Sequence, residues 1–167
     1  MSKTVRVVLA GALLLALSAG MAAAQVSTED RIECNRGAPE RCEGSSGHDT
    51  ITGSSNADDI YARGGGYFVN ARGGRDLVLG GGGDDDPGSR GGLDGGAGND
   101  TVKGQDGADT VTDDARRDAD RLEGNTGNDF VDGRDGDGRD TINCGAGRDT
   151  FDKVRGDTKR NCENRRL

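Results

Sequence analysis

A short unit of glycine, aspartate and one aliphatic residue recurs along most of the chain, and it constrains the fold more than any other feature. Residues 95–112 read GGAGNDTVKGQDGADTVT, which is one nine-residue phrase in two copies. In each copy a valine follows the aspartate by two residues, and a glycine precedes the aspartate by two. A repeat of this kind indicates stacked, similar units rather than one globular core.

The aspartate and its aliphatic partner align from residue 49 to residue 151. Tyr67 replaces the aspartate once, while Val69 keeps the aliphatic place. The aligned aspartates are Asp49, Asp58, Asp76, Asp100, Asp109, Asp120, Asp129, Asp140 and Asp149. Glycines two residues earlier are Gly47, Gly74, Gly98, Gly107, Gly127, Gly138 and Gly147. A disordered chain has no reason to keep such a register, although the composition alone would favour disorder.

The spacing of the aspartates indicates how the chain winds. From residue 100 onward the steps alternate between nine and eleven residues. A coil with two loops per turn explains the alternation, because the two additional residues then always fall on the same edge. The predicted stacks are Asp100, Asp120 and Asp140 along one edge, and Asp109, Asp129 and Asp149 along the other.

Each unit is predicted to form a glycine-rich loop followed by a very short strand. The strand segments DTV, DTI and DFV contain β-branched residues, which favour strands. Side chains alternate between the two faces of a strand, so one aliphatic residue per strand points inward. The sequence therefore predicts an all-β solenoid with a thin core of stacked valine, isoleucine and leucine.

The acidic residues suggest metal ligands. The chain has 24 Asp but only 6 Glu, beside 31 Gly, and this combination is typical of tight turns and oxygen ligands. Carboxylates stacked at the roughly 4.8 Å spacing of neighbouring strands repel one another unless a cation lies between them. Hard oxygen ligands on flexible loops favour Ca²⁺. The net charge of −8 opposes nucleic-acid binding.

The pattern G-G-x-G-x-D-x-U-x, with U a large aliphatic residue, resembles the hemolysin-type calcium-binding repeat of RTX proteins. Residues 95–103 match every specified place, and residues 44–52, 104–112 and 124–132 match with one glycine replaced. The resemblance implies a right-handed parallel β-roll that binds several Ca²⁺ ions between turns. The implied ligands are the side chains of the nine aligned aspartates and the loop backbone of Gly47, Gly98, Gly107, Gly127, Gly138 and Gly147.

Three departures from the pattern modify this expectation. Tyr67 cannot ligate as a carboxylate, which puts a site shared with Asp49 in doubt. The eleven-residue loops DDARRDAD and GRDGDGRD lack the double glycine, so ions there are expected to be weaker or absent. Residues 80–94 are predicted to form a glycine-rich irregular loop or linker, since Pro87 takes an aliphatic place. This linker would separate repeat segments 44–79 and 95–152, and the alternative is one continuous coil.

The two ends of the chain differ from the repeats. Residues 1–24 have the basic start, short apolar run and small residues of a secretory signal peptide, which predicts a secreted, extracellular protein without a membrane span. Residues 25–43 and 153–167 are predicted to be caps, the latter basic. Four cysteines in an exported chain suggest two disulfides with three possible connectivities. Cys34–Cys42 and Cys144–Cys162 are favoured because they flank the coil, whereas free thiols and a zinc site are alternatives.

The predicted function is that of a secreted calcium-binding repeat protein whose roll is folded and stabilised by Ca²⁺. No catalytic site is predicted, since the only histidine, His48, fills a variable place of the repeat. A monomer is expected. The alternatives are a cell-surface or matrix adhesion module, with a cell-surface or polysaccharide partner, and an accessory module of a secreted enzyme.

Overall fold

The computed structural model describes residues 7–8, 31–34, 41–85, 91–113, 118–134, 136, 139–153 and 155–165. Its regular elements are all strands: β1 (Val7–Val8), β2 (Arg31–Glu33), β3 (Arg41–Glu43), β4 (Thr50–Thr52), β5 (Asp59–Tyr61), β6 (Phe68–Asn70), β7 (Leu77–Gly82), β8 (Leu93–Asp94), β9 (Thr101–Asp106), β10 (Thr110–Thr112), β11 (Arg121–Thr126), β12 (Phe130–Gly133), β13 (Thr141–Ala146), β14 (Thr150–Lys153), β15 (Thr158–Arg160) and β16 (Asn164–Arg165). None of these described residues belongs to a helix long and apolar enough to span a bilayer.

The strands form two sheets, and the chain alternates between them from β2 onward. The first sheet has the order β1-β2-β4-β6-β8-β10-β12-β14-β16, and the second has the order β15-β13-β11-β9-β7-β5-β3. The pair β1–β2 is antiparallel, and all other strand pairs are parallel. Each turn therefore adds one strand to each sheet, and the fold is the predicted all-β parallel solenoid.

Most of the core consists of two columns of single side chains, one from each sheet, to which Ala62, Tyr67, Ala71 and Cys144 add. Strand pairing places each column member directly beside the next. The first column is Ile32, Ile51, Val69, Leu93, Val111, Val131 and Phe151, and the second is Cys42, Ile60, Val78, Val102, Leu122 and Ile142, all of them buried. One inward side chain per strand is what the alternation of a three-residue strand allows. Neighbouring turns supply the remaining apolar contacts.

Both ladders run through the glycine-rich region. β7 pairs with β9, and β8 lies between β6 and β10. Leu93 fills the core position that follows the Asp85 loop, and its side chain is fully buried. Pro87, which has the expected spacing from Asp85, lies outside the described residues. The pairing favours the alternative of one continuous coil over two repeat segments separated by a linker.

Both favoured disulfides are present. Cys34 is joined to Cys42 and Cys144 to Cys162, with Cα atoms 5.8 Å and 5.0 Å apart. Cys34 follows β2 and Cys42 lies in β3, so this bond joins the two sheets at the first turn. Cys144 lies in β13, and Cys162 follows β15 at the other end of the coil. The disulfides therefore close the terminal turns, where a solenoid lacks a neighbour on one side.

The Cys144–Cys162 disulfide is expected to stabilise the C-terminal turns. Replacing both cysteines by serine should lower the free energy of unfolding by about 3 kcal/mol, because the unfolded chain gains loop entropy. Urea denaturation in calcium would measure this, with the Cys34–Cys42 bond retained as an internal reference. A midpoint equal to that of the parent protein would contradict a stabilising role for the bond.

Candidate metal centre

Aspartates that precede the strands of the second sheet form a continuous stack, which we call the first row: Asp58, Asp76, Asp100, Asp120, Asp140 and Asp157. A carboxylate oxygen of each later member accepts the backbone N–H of the preceding one. These N···O distances run from 2.7 Å for Asp76 to Asp100 and for Asp100 to Asp120, to 3.3 Å for Asp140 to Asp157. Consecutive turns are thus joined edge to edge through their aspartates.

A second row precedes the strands of the first sheet and has the same arrangement. Its members are Tyr67, Asp85, Asp109, Asp129, Asp149 and Glu163. The backbone N–H of each donates to the carboxylate of the next, with N···O distances between 2.9 and 3.2 Å. The stacking partner of Asp100 is therefore Asp120 and that of Asp109 is Asp129, as the alternating spacing predicted.

The second carboxylate oxygen of most row members has no partner. Among the residues that the structure describes, one buried oxygen without a hydrogen bond occurs on each of Asp58, Asp76, Asp85, Asp100, Asp109, Asp129 and Asp149. These residues are at most 3% exposed to solvent. Leaving a buried charged oxygen without a partner is costly. Two rows of such oxygens therefore indicate that the sites are completed by a cation.

Burial and mutual repulsion raise the pKa of five row aspartates, namely Asp76, Asp85, Asp100, Asp109 and Asp129. Burial raises the pKa of Asp85 to about 8, and the charge of Asp109 adds to the effect. Burial likewise raises the pKa of Asp129 to about 7, with contributions from the charges of Asp109 and Asp149 that the N–H of Asp109 partly offsets. For Asp100, burial raises the pKa to about 7 despite the hydrogen bond from Asp76. A bound cation would reverse these shifts.

Glycines bring the loops of successive turns into close contact beside the second row. Gly107, Gly127 and Gly147 have positive φ angles of 136°, 143° and 149°. A Cβ atom on Gly127 would collide with the carbonyl oxygen of Gly107, and one on Gly147 with that of Gly127. These carbonyl groups point along the coil axis toward the next turn. Backbone oxygens are thus available beside the carboxylates, as a calcium site requires.

The comparison with known families agrees with this geometry. The model of the RTX calcium-binding nonapeptide repeat matches the chain in four copies, over residues 41–69, 93–112 and 114–151. These segments make up more than half of the chain. The chain belongs to the RTX calcium-binding repeat family. No curated protein and no solved structure matches it significantly.

The structure places the predicted RTX ligands in two groups. The first row contains Asp58, Asp76, Asp100, Asp120 and Asp140, and the second contains Asp109, Asp129 and Asp149. Asp49 precedes Tyr67 in the second stack, and its Oδ2 accepts the N–H and hydroxyl of Ser45, both at 2.8 Å. Gly47, Gly98, Gly107, Gly127 and Gly147 lie in the loops beside these aspartates, whereas Gly138 lies outside the described residues.

Tyr67 closes the N-terminal end of the second row. Its side chain is fully buried, and its hydroxyl donates a hydrogen bond to the carbonyl oxygen of Ser45. Burial, with the charge of Asp49, raises the Tyr67 pKa to about 12, so the phenol stays neutral. The tyrosine therefore substitutes a neutral group for a carboxylate in the row.

Five acidic residues in or beside the rows were missed from the sequence: Asp85, Asp113, Asp118, Asp157 and Glu163. Asp85 is the second residue after a run of four glycines, and this run is the signal that could have identified it. Asp157 and Glu163 lie 17 and 14 residues after their row neighbours, and this spacing differs from that of the repeat. Asp113 and Asp118 belong to an eleven-residue loop whose acidic residues the sequence alone cannot divide into inward and outward ones.

The residues of both rows fit calcium better than other biological cations. Nearly all are carboxylates, which are hard ligands suited to Ca²⁺ and Mg²⁺. The described part of the chain places no histidine in either row, and its cysteines are disulfide-bonded, so the soft ligands that select zinc or copper are missing. The adjacent loop carbonyls suit the larger and more flexible coordination shell of Ca²⁺.

Lowering the pH is expected to stabilise the calcium-free protein. The pKa values of Asp76, Asp85, Asp100, Asp109 and Asp129 are raised to about 6 to 8 in the folded state, against 3.8 ordinarily. A raised carboxyl pKa contributes stability that is present below the ordinary pKa and lost as the pH rises through the folded-state value. Calcium-free protein should therefore lose several kcal/mol between about pH 4 and 8, because each tenfold difference in proton affinity corresponds to about 1.4 kcal/mol.

The strand signal in circular dichroism at pH 5 and pH 8 would measure this change, after calcium is removed on a chelating resin. The calcium-saturated protein is the control, since bound cations keep the carboxylates ionised and reverse the trend. A strand signal at pH 5 that is equal to or weaker than that at pH 8, in calcium-free protein, would contradict the raised pKa values.

Proposed function

We propose that this chain is a secreted calcium-binding protein whose β-roll is folded and stabilised by Ca²⁺ ions held between successive turns. The observation that carries the proposal is the pair of buried aspartate rows, in which most members have a carboxylate oxygen without a hydrogen bond. The family match supports calcium as the cation.

Calcium would act by removing the electrostatic cost of the rows. Each carboxylate uses one oxygen to hold the backbone of the preceding turn, and this bond brings like charges to strand spacing. A divalent ion between two turns replaces their repulsion by attraction. Since the complete site exists only when both turns are in place, the binding free energy becomes folding free energy.

The proposed ligands are the nine aspartates of the repeat, with Asp85 as an additional member of the second row. Loop carbonyls of Gly47, Gly98, Gly107, Gly127, Gly138 and Gly147 would complete the coordination. Asp49 would contribute least to calcium binding, because Tyr67 occupies the position of the next carboxylate in the stack. No catalytic role is proposed for any of these residues.

The proposal includes export, for two reasons. Disulfides form and persist in oxidising compartments, which include the extracellular space. This coil has one disulfide at each end. Extracellular calcium modules work at roughly 10⁻⁴ to 10⁻³ M Ca²⁺. Sites of that affinity would stay empty in a low-calcium cytosol and fill outside the cell.

The substitution Asp129→Asn tests the proposal through two effects of opposite sign. Asparagine keeps the Oδ1 acceptor for the N–H of Asp109 and removes one charge from between Asp109 and Asp149. Without calcium, the variant should be more stable than the parent at pH 7.5, by about 1–3 kcal/mol. With calcium, affinity at this site should fall about tenfold or more.

Asp59→Asn is the matched control, because Asp59 is exposed in β5 and belongs to neither row. Its effect on both measurements should stay within about 0.5 kcal/mol. Folding of the calcium-free protein by the osmolyte trimethylamine N-oxide, followed by circular dichroism, and calcium titration calorimetry would provide the two readouts. Destabilisation of the calcium-free Asp129→Asn protein, or unchanged calcium affinity, would overturn the proposed role of the rows.

A further inference from the structure

One loop of the coil differs from all the other described loops in the charge that it buries. Asp100, Asp113 and Asp120 each direct a carboxylate oxygen to a common point, and these oxygens lie within 4.8 Å of one another. The three residues are only 2%, 1% and 3% exposed to solvent. Asp100 and Asp120 are neighbours in the first row, whereas Asp113 is an addition that the repeat pattern does not contain.

Asp113 occupies a place where the other inner turns have glycine or alanine. This column runs through Gly53, Ala71, Gly95, Asp113 and Gly133, and each N–H from Gly53 to Asp113 donates to the carbonyl just before the next member. Cys34 and Lys153 occupy the same place in the terminal turns. A Cβ atom on Gly95 would lie 2.9 Å from Oδ2 of Asp113. The Asp113 carboxylate thus lies where a side chain at position 95 would be, and only a glycine there leaves room for it.

Asp118 places a fourth carboxylate beside this group. It lies two residues before Asp120, where the repeat has glycine, and its Oδ2 accepts the N–H of Gly98 at 2.7 Å. Its Oδ1 is buried and has no hydrogen-bond partner within the described segments. The loop that lacks the glycines of the motif therefore has aspartates in their place, and the charge of Asp118 acts on Asp100.

Two observations show that this cluster is not a solvated acidic surface. Oδ2 of Asp100 is buried and accepts no hydrogen bond from any described residue, while Oδ1 of Asp100 holds the N–H of Asp76. Two cations of the adjacent strands, Lys103 and Arg121, both pair with Glu123, at 2.9 Å and 2.5 Å. The cluster therefore has the charge and the buried oxygen of a cation site.

We propose that Asp100, Asp113, Asp118 and Asp120 form a four-carboxylate site that binds Ca²⁺ more tightly than the other sites of the roll. The proposal rests on the proposed function, because it assumes that calcium fills the rows. The sequence had predicted the opposite, namely that the loss of glycines from this loop weakens calcium binding there.

The physical reason for the higher affinity is the number of charges. A typical site in the second row, between Asp109 and Asp129, is bordered by Gly104, Gly107 and Gly127 and has two carboxylates within it. The other charges that act on Asp109 belong to the exposed side chains of Asp84 and Asp106. The proposed site has four in a region shielded from water, where the attraction between charges is stronger. Affinity in calcium sites rises with the number of charged ligands, so this site should fill first.

The test is a calcium titration of the full chain by calorimetry, with a competing chelator to resolve the tightest constant. Asp113→Asn and the double variant Asp113→Asn with Asp118→Asn should weaken this constant by about tenfold or more and about a hundredfold, respectively. The later, weaker binding steps and the strand signal in saturating calcium should persist. Asp59→Asn again serves as the charge-matched control and should leave the tightest constant in place.

A second variant guards against misfolding. Asp113→Gly restores the residue that the column has at Gly95 and Gly133, and it should fold while losing the tightest step. If calcium binds but the tightest constant is the same in the parent and in these variants, the four-carboxylate site is wrong and the proposed function stands. If the parent protein binds no calcium at all, both proposals fail.

Discussion

Removal of calcium is expected to unfold most of the roll at neutral pH. At a free calcium concentration 100 times the dissociation constant, each site contributes about 2.7 kcal/mol. Several sites in two rows would then supply an amount comparable to the whole stability of a small domain, about 5–15 kcal/mol. The core alone offers one inward side chain per strand. The strand signal in circular dichroism should therefore disappear in excess chelator at pH 7.5 and return when calcium is added.

Magnesium provides the control for this experiment. It has the same charge but needs a strict octahedral shell and holds its water more firmly, so millimolar Mg²⁺ should restore much less of the signal. The disulfides stay intact throughout, so the unfolded chain is the same in chelator, in magnesium and in calcium. A strand signal that neither chelator nor calcium alters would show that the roll folds without the ion.

The second large effect is expected from Gly127→Ala. Gly127 has a φ of 143°, and a Cβ atom there would collide with the carbonyl oxygen of Gly107. The strained backbone costs about 1–3 kcal/mol, and the enforced separation of the turns costs a further 1–3 kcal/mol or so. The separation would also pull Asp109 away from Asp129. We expect a large fall in the urea midpoint in calcium and the loss of at least one binding step.

Gly82→Ala is the control for this substitution. Gly82 lies in β7, its φ is not positive, and a Cβ atom there would meet nothing within 4 Å. It should change the free energy of unfolding by no more than about 0.5 kcal/mol. Equal effects of the two substitutions would mean that the close approach of the Gly107 and Gly127 loops is unimportant for stability.

Much of the fold could be predicted because the repeat encodes it twice, in its residue types and in its spacing. The rule that an aliphatic residue follows the aspartate by two identified core residues such as Ile51, Val102 and Val131, all fully buried. The alternation of nine and eleven residues identified the partner of each aspartate, since a parallel coil brings together residues one full turn apart.

The rule failed where the loop length changed. After Asp85 the core place between Val69 and Val111 is filled by Leu93, which lies eight residues after the aspartate rather than two. Spacing alone cannot show this, because a loop can absorb extra residues at little cost. Strand pairing decides the position, and pairing depends on the turns before and after.

The sequence also could not predict which acidic residues point inward. The loop DDARRDAD contains four aspartates, and a pattern based on glycine gives no reason to choose among them. Asp113 and Asp118 became recognisable only through the contacts of Gly95 and Gly98 in the preceding turn. A missing glycine therefore indicates that the motif is altered. Which acidic residue points inward depends on the residue stacked against it in the neighbouring turn.

Within the two rows, the hydrogen bonds between turns all point the same way along the coil. In each row the backbone N–H of one turn is held by the carboxylate of the turn that follows it in sequence. A turn can therefore be completed only after its C-terminal neighbour exists, and Asp157 and Glu163 in the last segment supply the final acceptors. For a chain that leaves the ribosome or crosses a membrane with its N-terminus first, this polarity delays assembly until the tail has emerged. We therefore expect the coil to assemble from its C-terminal turns toward its N-terminal turns.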